Sequence, residues 1–432
     1  MTDHDRAAGP PAGATSAPAA HRGYPPGPPQ ARPAHSPQPP PPPAGPTVRS
    51  PVGPADPAGP AAPEEARPPV PSARVNGPVP QRIWRETREG LLALSVWTER
   101  VPGRGEDADP FVAHHWHSAQ GLLAVFDGSG GAGAAPVWQA SDGTSRTGAW
   151  AGARVARLAT DCWFREVATG GEPADPESLR EYLRYFLASA PQRRSKIGGT
   201  MRRQLPTTLA AVHYRLAASP DELELQPLWA GDSRAYVLRP DTGLQVLTRD
   251  HTRESDALEL LRTDPPMTNL VCADREFEID SRRLTCRLPC VLVAATDGFF
   301  GYVHTPADFE SLLLRTLDEA RHEDEWADRI RREVQSYTAD DASIAVLALG
   351  YRGFEELRGT FAARLQEVTE RYVRTRPRGL DRLAPGAADE PSAVPQDPAE
   401  LSARVRDWQN RTWHAYRSGY ETHLPPAPEE HA

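Results

Sequence analysis

Four strand-like segments follow one another between residues 207 and 250, and this run constrains the fold more than any other feature of the sequence. The segments cover residues 207–216, 223–232, 233–240 and 243–250. They are rich in β-branched and aromatic residues, and the turn sequence Asp241-Thr242-Gly243 separates the last two. The connections between them are too short for the crossover helix that a parallel pair needs. The run therefore predicts an antiparallel meander and argues against βαβ units.

Helical patterns on both sides of the meander predict further layers. Two strands, ending near residues 99 and 127, come first, and two helices follow them. The helix predicted over residues 147–167 is expected to bury one face made of Ala151, Val155, Leu158 and Cys162. After the meander come a buried strand, two more helices and a final strand. This order predicts an α+β fold, a four-layer αββα sandwich of two antiparallel sheets flanked by helices.

Composition divides the chain into three parts. Residues 1–82 hold more than half of the chain's 47 prolines and almost no large apolar side chains, so this arm is expected to be disordered. Residues 83–350 are long enough for one substantial core and form the expected catalytic domain. Residues 351–432 carry two helical stripes joined by a Pro/Ala-rich linker. These helices either pack on the core or offer an aromatic docking surface to a protein partner.

Charge and cysteine content limit the classes of partner and compartment. The net charge is −9 and the basic residues form no stripe, which argues against a nucleic-acid partner. The four cysteines lack paired CxxC spacing, which favours a reducing compartment. The N-terminus lacks an apolar signal core and no apolar run approaches 18 residues, so no membrane association is expected. The expectation is a soluble, cytoplasmic protein.

Aspartates stand at the ends of several predicted strands. Asp127, Asp232 and Asp297 each end an apolar run, and Asp340 stands just before the last strand. Strand ends at one edge of a sandwich can converge, and clustered carboxylates cannot all stay ionised unless a cation compensates them. Oxygen ligands of this kind suit Mg²⁺ or Mn²⁺. A single Asp-Gly pair is more often a turn, but four strand-end aspartates in this order indicate a metal site.

Six motifs in the order of the chain resemble one known family across roughly residues 84–350. They read EDADPF, VFDGSGG, PTTLAAV, AGDSRAYVL followed by LTRDHT, VAATDGFFGYV and ADDASIAVLAL. Together they resemble the metal-dependent protein phosphatases of type 2C, the PPM family, in its bacterial serine/threonine form. The resemblance implies an αββα sandwich in which two metal ions share a water that attacks phosphoserine or phosphothreonine. It also implies a phosphorylated protein, such as a serine/threonine kinase, as substrate.

The resemblance also assigns candidate site residues. The matching positions imply metal contacts, to two or three Mg²⁺ or Mn²⁺ ions, from Asp127, Gly128, Asp297, Asp340, Asp107, Glu106 and Asp232. Asp127 would bridge both ions and Gly128 would offer its carbonyl oxygen. Either Glu106 or Asp107 would act directly or through water. Asp232 matches the position of a third, weaker ion, and an Asx-type turn is an equal alternative.

Two catalytic positions depart from the family pattern. Ser129 stands where many relatives have a histidine that protonates the leaving group, and serine is a poor acid at neutral pH. Pro102 occupies the position of the usual phosphate-binding arginine, so Arg104 or Arg100 would have to substitute. The candidate catalytic residues are therefore Asp127, Ser129 and Arg104.

Three functions are compatible with these motifs. The retained aspartates favour an active phosphatase, whereas Ser129 and the displaced arginine favour an inactive pseudophosphatase that serves as a regulatory binding module. The interpretation of DGSGGAG as a nucleotide-binding loop is the least favoured of the three, because no P-loop Lys-Ser/Thr pair follows it and the pattern of a Rossmann βαβ unit is missing. The sequence thus favours a metal-dependent protein phosphatase.

Overall fold

The structure is a computed structural model that describes most of the chain beyond the proline-rich arm. The described residues are 83–88, 90–140, 143–170, 173–190, 203–217, 219, 221–377, 380 and 398–427. The predicted disordered arm at 1–82 and the Pro/Ala-rich stretch at 381–397 lie outside them. No helix within the described ranges is long and apolar enough to cross a membrane.

Fourteen strands and nine α-helices are present in the described residues. The strands are β1 (Ile83–Arg88), β2 (Leu91–Thr98), β3 (Phe111–His115), β4 (Gln120–Val125), β5 (Pro136–Gln139), β6 (Ser145–Thr147), β7 (Leu209–Leu216), β8 (Glu222–Ala230), β9 (Arg234–Arg239), β10 (Gly243–Val246), β11 (Asp280–Ser281), β12 (Leu284–Arg287), β13 (Cys290–Ala295) and β14 (Ala342–Leu349). The helices are α1 (Gly130–Gly133), α2 (Gly148–Gly170), α3 (Pro176–Ser189), α4 (Ala257–Leu260), α5 (Asp297–Phe300), α6 (Pro306–Asp318), α7 (Glu323–Tyr337), α8 (Phe354–Val368) and α9 (Pro398–Tyr420).

Two antiparallel sheets form the centre of the fold. The first sheet has the strand order β1-β2-β14-β13-β9-β10. The second has the order β11-β8-β7-β4-β3, and β12 also pairs with β8. The meander predicted from the sequence is split between them, since β7 and β8 belong to the second sheet and β9 and β10 to the first. A small ribbon of β5 and β6 stands apart from both sheets.

Three apolar cores separate the layers. Along β13, Leu292 and Ala294 face the core between the two sheets, and Val291 and Val293 face the core beneath the helices α6 and α7. This alternation is the period-two pattern of a strand that is buried on both faces. The helices α2 and α3 cover the second sheet through a core of their own. The predicted four-layer α+β sandwich is confirmed.

The helix α2 buries a different face from the one predicted. Leu158 is 50% exposed, and Ala151, Val155 and Cys162 are only half-buried. The buried face is made largely of small residues and ends in an aromatic: Ala149, Ala153, Ala156, Ala159 and Trp163. A Cβ atom on Gly152 would stand 2.4 Å from the carbonyl oxygen of Leu205. The predicted face is wrong, because close approach of the backbone and not side-chain size selects the face that is buried.

The C-terminal helices pack on the first sheet's helical layer. Leu365 is half-buried, and the other stripe residues are buried, namely Phe354, Leu357, Phe361, Val368, Tyr372, Leu401, Val405, Trp408, Trp413, Tyr416 and Tyr420. A buried carboxylate links three helices: Glu310 on α6 accepts hydrogen bonds from Arg364 on α8 and Tyr416 on α9. The alternative of an exposed aromatic docking surface is therefore wrong for the described parts of these stripes.

Candidate active site

Strand ends from both sheets bring four aspartates to one edge of the sandwich. Asp127 closely follows β4 of the second sheet, and Asp232 lies in the turn between β8 and β9. Asp297 follows β13 of the first sheet and Asp340 precedes β14. The negative charge of Asp127 raises the pKa of Asp297, so the two carboxyl groups are close enough to interact. The structure thus places side by side residues that are far apart in the sequence.

The backbone of Asp127 is held by the threonine-rich start of β7. The amide of Thr208 donates a hydrogen bond of 2.8 Å to the carbonyl oxygen of Asp127, and the hydroxyl of Thr207 donates to the same oxygen at 2.7 Å. The Thr208 hydroxyl in turn pairs with that of Ser233 at 2.6 Å. The PTTLAAV motif therefore positions the aspartate and does not itself supply a reactive group.

Asp107 is the most deeply placed carboxylate of the cluster. Its side chain is buried and accepts a hydrogen bond of 3.0 Å from the hydroxyl of Thr296. That hydroxyl also accepts one from the amide of Ser343 at 2.9 Å. The negative charge of Asp107 acts on Asp127, whose pKa it raises. Of the early acidic pair, it is thus Asp107 that enters the centre of the site.

Burial and mutual repulsion raise the pKa values of the clustered carboxyl groups. Burial raises the pKa of Asp127 well above its usual range, and the negative charge of Asp107 raises it further. Burial and the charge of Asp127 do the same to the pKa of Asp297. Burial raises the pKa of Asp232 to about 6. The cluster therefore resists full ionisation in the absence of a compensating positive charge.

Asp341, which sequence reasoning left out of the site, holds the acidic loop in place. Its carboxylate accepts a hydrogen bond of 2.8 Å from the amide of Arg100 and one of 2.6 Å from the amide of Glu106. One carboxylate thus clamps both ends of the loop that carries Glu106 and Asp107. The second aspartate of the ADDASIAV motif was visible in the sequence, but its role depends on a contact between residues more than 230 positions apart.

Two arginines near the acidic loop were also missed. Arg154 on α2 donates to the carbonyl oxygen of Glu106 at 3.1 Å, and its guanidinium lies 4.2 Å from the ring centre of Trp150. Arg146 donates to the carbonyl oxygen of Gly103 at 2.6 Å. Burial lowers the pKa of Arg154 to about 10. No motif marks these residues, because Arg146 on β6 and Arg154 on α2 reach the acidic loop only through tertiary contacts.

The predicted catalytic positions have unequal surroundings. Ser129 precedes α1, and its hydroxyl makes no hydrogen bond within the described part of the chain. Arg104 is exposed, and its guanidinium forms neither a hydrogen bond nor an ion pair with any described residue. The positive charge of Arg100, in contrast, partly opposes the rise that burial causes in the pKa of Asp340. Arg100 is therefore closer to the acidic cluster in electrostatic terms.

A cleft of about 340 Å³ opens beside the aspartates. Asp232, Asp297 and Asp340 line it together with a segment that includes Arg262 and Asp264. A larger groove of about 890 Å³ runs between α2 and the edge strand β3, but its lining includes none of these three aspartates. We place the candidate site in the smaller cleft, because the titratable groups converge there.

A buried ion pair lines the cleft. Arg234 and Asp250 are joined by two hydrogen bonds of 2.9 and 2.7 Å, and their side chains are only 5% and 6% exposed. The guanidinium also lies 4.3 Å from the ring centre of Phe300. The arginine of AGDSRAYVL and the aspartate of LTRDHT therefore pair with each other, and the pair supports the wall beside Asp232.

The donor set of the site fits a hard divalent cation. In the described residues, no set of three or more His, Cys, Asp or Glu side chains is arranged as a ready-made metal site. However, the clustered donors are carboxylate oxygens, which Mg²⁺ and Mn²⁺ prefer. One of them, Oδ1 of Asp232, is buried without a hydrogen-bond partner among the described residues. An orphaned carboxylate oxygen inside an acidic cluster is suited to a metal ion or to a water bound to one.

Gly298 is required where α5 passes the ADD motif. A Cβ atom at this position would stand 2.0 Å from the carbonyl oxygen of Asp341. We expect Gly298→Ala to destabilise the protein by about 1–3 kcal/mol, because the clash is with backbone. Gly131→Ala is the matched control, since nothing lies within 4 Å of its added Cβ. Urea unfolding with EDTA would measure both, and equal unfolding midpoints would contradict the expectation.

The raised pKa of Asp232 predicts a pH-dependent stability in the presence of EDTA. Its pKa is about 6 in the folded protein and about 4 in the unfolded chain, so the folded state binds the proton more tightly. Asp232 therefore destabilises the fold increasingly as pH rises from 4 to 6. We expect Asp232→Asn to gain stability over the wild type across this window in urea unfolding. A constant difference from pH 4 to pH 7 would exclude this linkage.

Comparison with known proteins finds similarity only among solved structures. No family model matches the chain, and no curated protein matches it. PppA, a key regulatory component of T6SS in Pseudomonas aeruginosa, is 20% identical over 60% of this chain and 97% of its own, with a TM-score of 0.40. The serine/threonine phosphatase PstP/Ppp of Mycobacterium tuberculosis is 17% identical over 60% and 99%, with a TM-score of 0.41. Stp1 of Staphylococcus aureus, also a serine/threonine phosphatase, is 15% identical over 61% and 96%, with a TM-score of 0.42.

Proposed function

We propose that this chain is a Mg²⁺- or Mn²⁺-dependent protein serine/threonine phosphatase of type 2C, with a phosphorylated protein such as a kinase as substrate. One observation carries the proposal: carboxylates from both sheets meet at one edge of the sandwich, and one of their oxygens, Oδ1 of Asp232, is buried without a partner among the described residues. The charges that act most strongly on Asp127 and Asp297 are all carboxylates. Such a cluster is costly to the fold and is typical of a site that binds cations.

Each candidate residue has a role in this proposal. The metal contacts would come from Asp127, Gly128, Asp297, Asp340, Asp107 or Glu106, and Asp232. The bound ions would supply positive charge and an activated water for phosphoester hydrolysis. Asp341 would hold the acidic loop, and the Ser129 hydroxyl would donate a hydrogen bond to a substrate oxygen.

The free cysteines agree with action on cytoplasmic phosphoproteins. All four, at positions 162, 272, 286 and 290, are unpaired as thiols. Thiols that persist unpaired favour a reducing compartment. We therefore propose the cytoplasm as the place of action.

Metal-dependent turnover by the full chain tests the proposed function. The substrates are p-nitrophenyl phosphate and a phosphothreonine peptide, each with Mn²⁺, with Mg²⁺ and with EDTA. We expect hydrolysis with either metal and none with EDTA. A folded protein that binds Mn²⁺ in calorimetry but hydrolyses neither substrate would instead be a pseudophosphatase, the alternative that Ser129 and the exposed Arg104 favour.

Arg100, and not Arg104, is the proposed phosphate-binding residue. Its charge acts on Asp340 and on Tyr302, both of which line the cleft. A hydrogen bond between charged groups contributes about 1.5–3 kcal/mol, so Arg100→Ala should raise KM for the phosphothreonine peptide by about 10-fold to 100-fold. Arg104→Ala is the matched control and should stay within about twofold of the wild type. The opposite ranking of the two variants in steady-state kinetics would reassign the contact to Arg104.

A further inference from the structure

One wall of the acidic cleft is a segment that is held from behind by the C-terminal helix. The segment Asp256–Pro265, here called the cleft wall, contains α4 and the residues that follow it. Leu260, Leu261, Arg262, Thr263, Asp264 and Pro265 from this segment line the cleft. The helix α4 has only four residues, too few to be stable alone. The position of the cleft wall must therefore be set by its contacts with neighbouring elements.

Asp256 at the start of the cleft wall is shared between α4 and α9. Its Oδ1 atom caps α4 by accepting hydrogen bonds from the amides of Leu258 and Glu259 at 2.9 and 3.2 Å. Its Oδ2 atom accepts from the indole of Trp413 at 3.0 Å and from the guanidinium of Arg417 at 2.7 Å. One carboxylate thus both begins α4 and ties it to α9.

A second link joins α9 to the part of the wall that faces the aspartates. Arg262 donates to the side-chain oxygen of Asn410 at 2.8 Å and to that of Gln409 at 3.2 Å. Its other terminal nitrogen pairs with Glu259 at 2.6 Å. The Gln409 amide also donates to the carbonyl oxygen of His304 at 2.9 Å. The same turn of α9 therefore contacts the cleft wall and the loop before α6.

A third contact lies deeper, behind the buried ion pair. Tyr420, the last residue of α9, is buried, its ring centre lies 6.2 Å from that of Tyr236, and it lines a small cavity together with Arg234. Arg234 is paired with Asp250 in the wall beside Asp232. Farther along, Arg249 donates to the carbonyl oxygen of Pro425 at 2.8 Å. The C-terminal extension thus contacts residues behind the cleft, from the cleft wall to the ion pair.

We infer that α9 is a positioning element of the active site, which holds the cleft wall at the distance from the aspartates that a phosphoprotein segment requires. This inference takes its substrate from the proposed function. The positioning of the cleft wall by α9 does not depend on that function. We expect a small ester to depend less on the cleft wall than a peptide, which is long enough to extend from the aspartates onto the wall that lines the same cleft. Trp413 and Arg417 are the positioning residues, and they act through Asp256.

The test is a double variant of the full chain that removes both donors to Asp256 and keeps their apolar bulk, Trp413→Phe with Arg417→Met. Hydrogen exchange of the amides at 256–265 should become about tenfold faster, since the wall loses its ties to α9. With Mn²⁺, KM for the phosphothreonine peptide should rise about fivefold or more, and kcat/KM for p-nitrophenyl phosphate should stay within twofold. Arg411→Met is the matched control, because Arg411 is an exposed residue of α9 whose side chain pairs with Asp407.

The outcomes separate this inference from the proposed function. Unchanged exchange at 256–265 in the double variant overturns the inference, as does an equal loss with both substrates. If the wild-type chain hydrolyses neither substrate, the proposed function fails, and hydrogen exchange alone decides whether α9 positions the cleft wall. Faster exchange that is confined to α9 itself would also overturn it, because the wall would then stand without the helix.

Discussion

Asp127→Asn should abolish metal-dependent turnover while making the protein more stable in EDTA. Asp127 contributes to a cluster whose metal ions would provide several kcal/mol of transition-state stabilisation, so we expect a loss in kcat of more than about a hundredfold. The burial and carboxylate repulsion that raise the pKa of Asp127 also destabilise the fold near neutral pH. A neutral amide of the same shape removes that repulsion. Activity and stability should therefore change in opposite directions.

The measurements are phosphopeptide turnover and thermal unfolding at pH 7.5, each with Mn²⁺ and with EDTA. Mn²⁺ at a hundred times its Kd should stabilise the wild type by about 2.7 kcal/mol, and most of this gain should vanish in Asp127→Asn. Asp318→Asn, an exposed position on α6, controls for the loss of one negative charge. A lower melting temperature for Asp127→Asn in EDTA would contradict the electrostatic account of the cluster.

Glu310→Gln should destabilise the protein more than any substitution of an exposed charge. Glu310 is fully buried and Arg364 is 8% exposed, and the pair is joined at 2.6 Å. Removing one partner of a buried ion pair costs about 3–5 kcal/mol, because the other charge remains in the interior. We expect about 3 kcal/mol, since Glu367 still faces Arg364 at 2.7 Å. The change also weakens the attachment of α9, because Tyr416 donates to Glu310.

The control for this prediction removes the other partner of the same arginine. The side chain of Glu367 is 38% exposed, and an exposed ion pair contributes at most about 1 kcal/mol. Glu367→Gln should therefore shift the urea unfolding midpoint by a third or less of the shift in Glu310→Gln. If the two variants were equally destabilised, the buried pair would not be the attachment point of the C-terminal helices.

The layered fold could be predicted from sequence because local patterns repeat along the chain. Strands of the meander and of β13 and β14 are marked by apolar runs and turns, and short connections leave few topologies for them. The buried face of α2 could not be predicted from such a pattern. Leu158 is larger than the alanines of the buried face, but α2 approaches the backbone of Leu205 closely at Gly152, which favours small residues in that part of the face, and only the packed layers reveal this approach.

The acidic residues of the site could be predicted from the sequence, whereas the contacts of the residues that hold them in place could not. Asp127, Asp232, Asp297 and Asp340 stand at strand ends, so their sequence positions already place them at an edge of the sheets. Asp341 and Arg100 were visible in the sequence, but their contacts were not, and Arg154 belongs to no motif, because each acts across a long sequence separation through a backbone contact or a charge.

What the sequence by itself determined is therefore the class of fold, the strand-end carboxylates and the resemblance that these imply. Only the tertiary structure decided that Asp107 enters the cluster, that Asp341 clamps the acidic loop and that α9 reaches the cleft wall. The physical reason is the range of the interactions. Periodic burial and turn chemistry act over a few residues and leave a pattern in the sequence, whereas the loop clamp and the helix contacts join residues more than 100 positions apart.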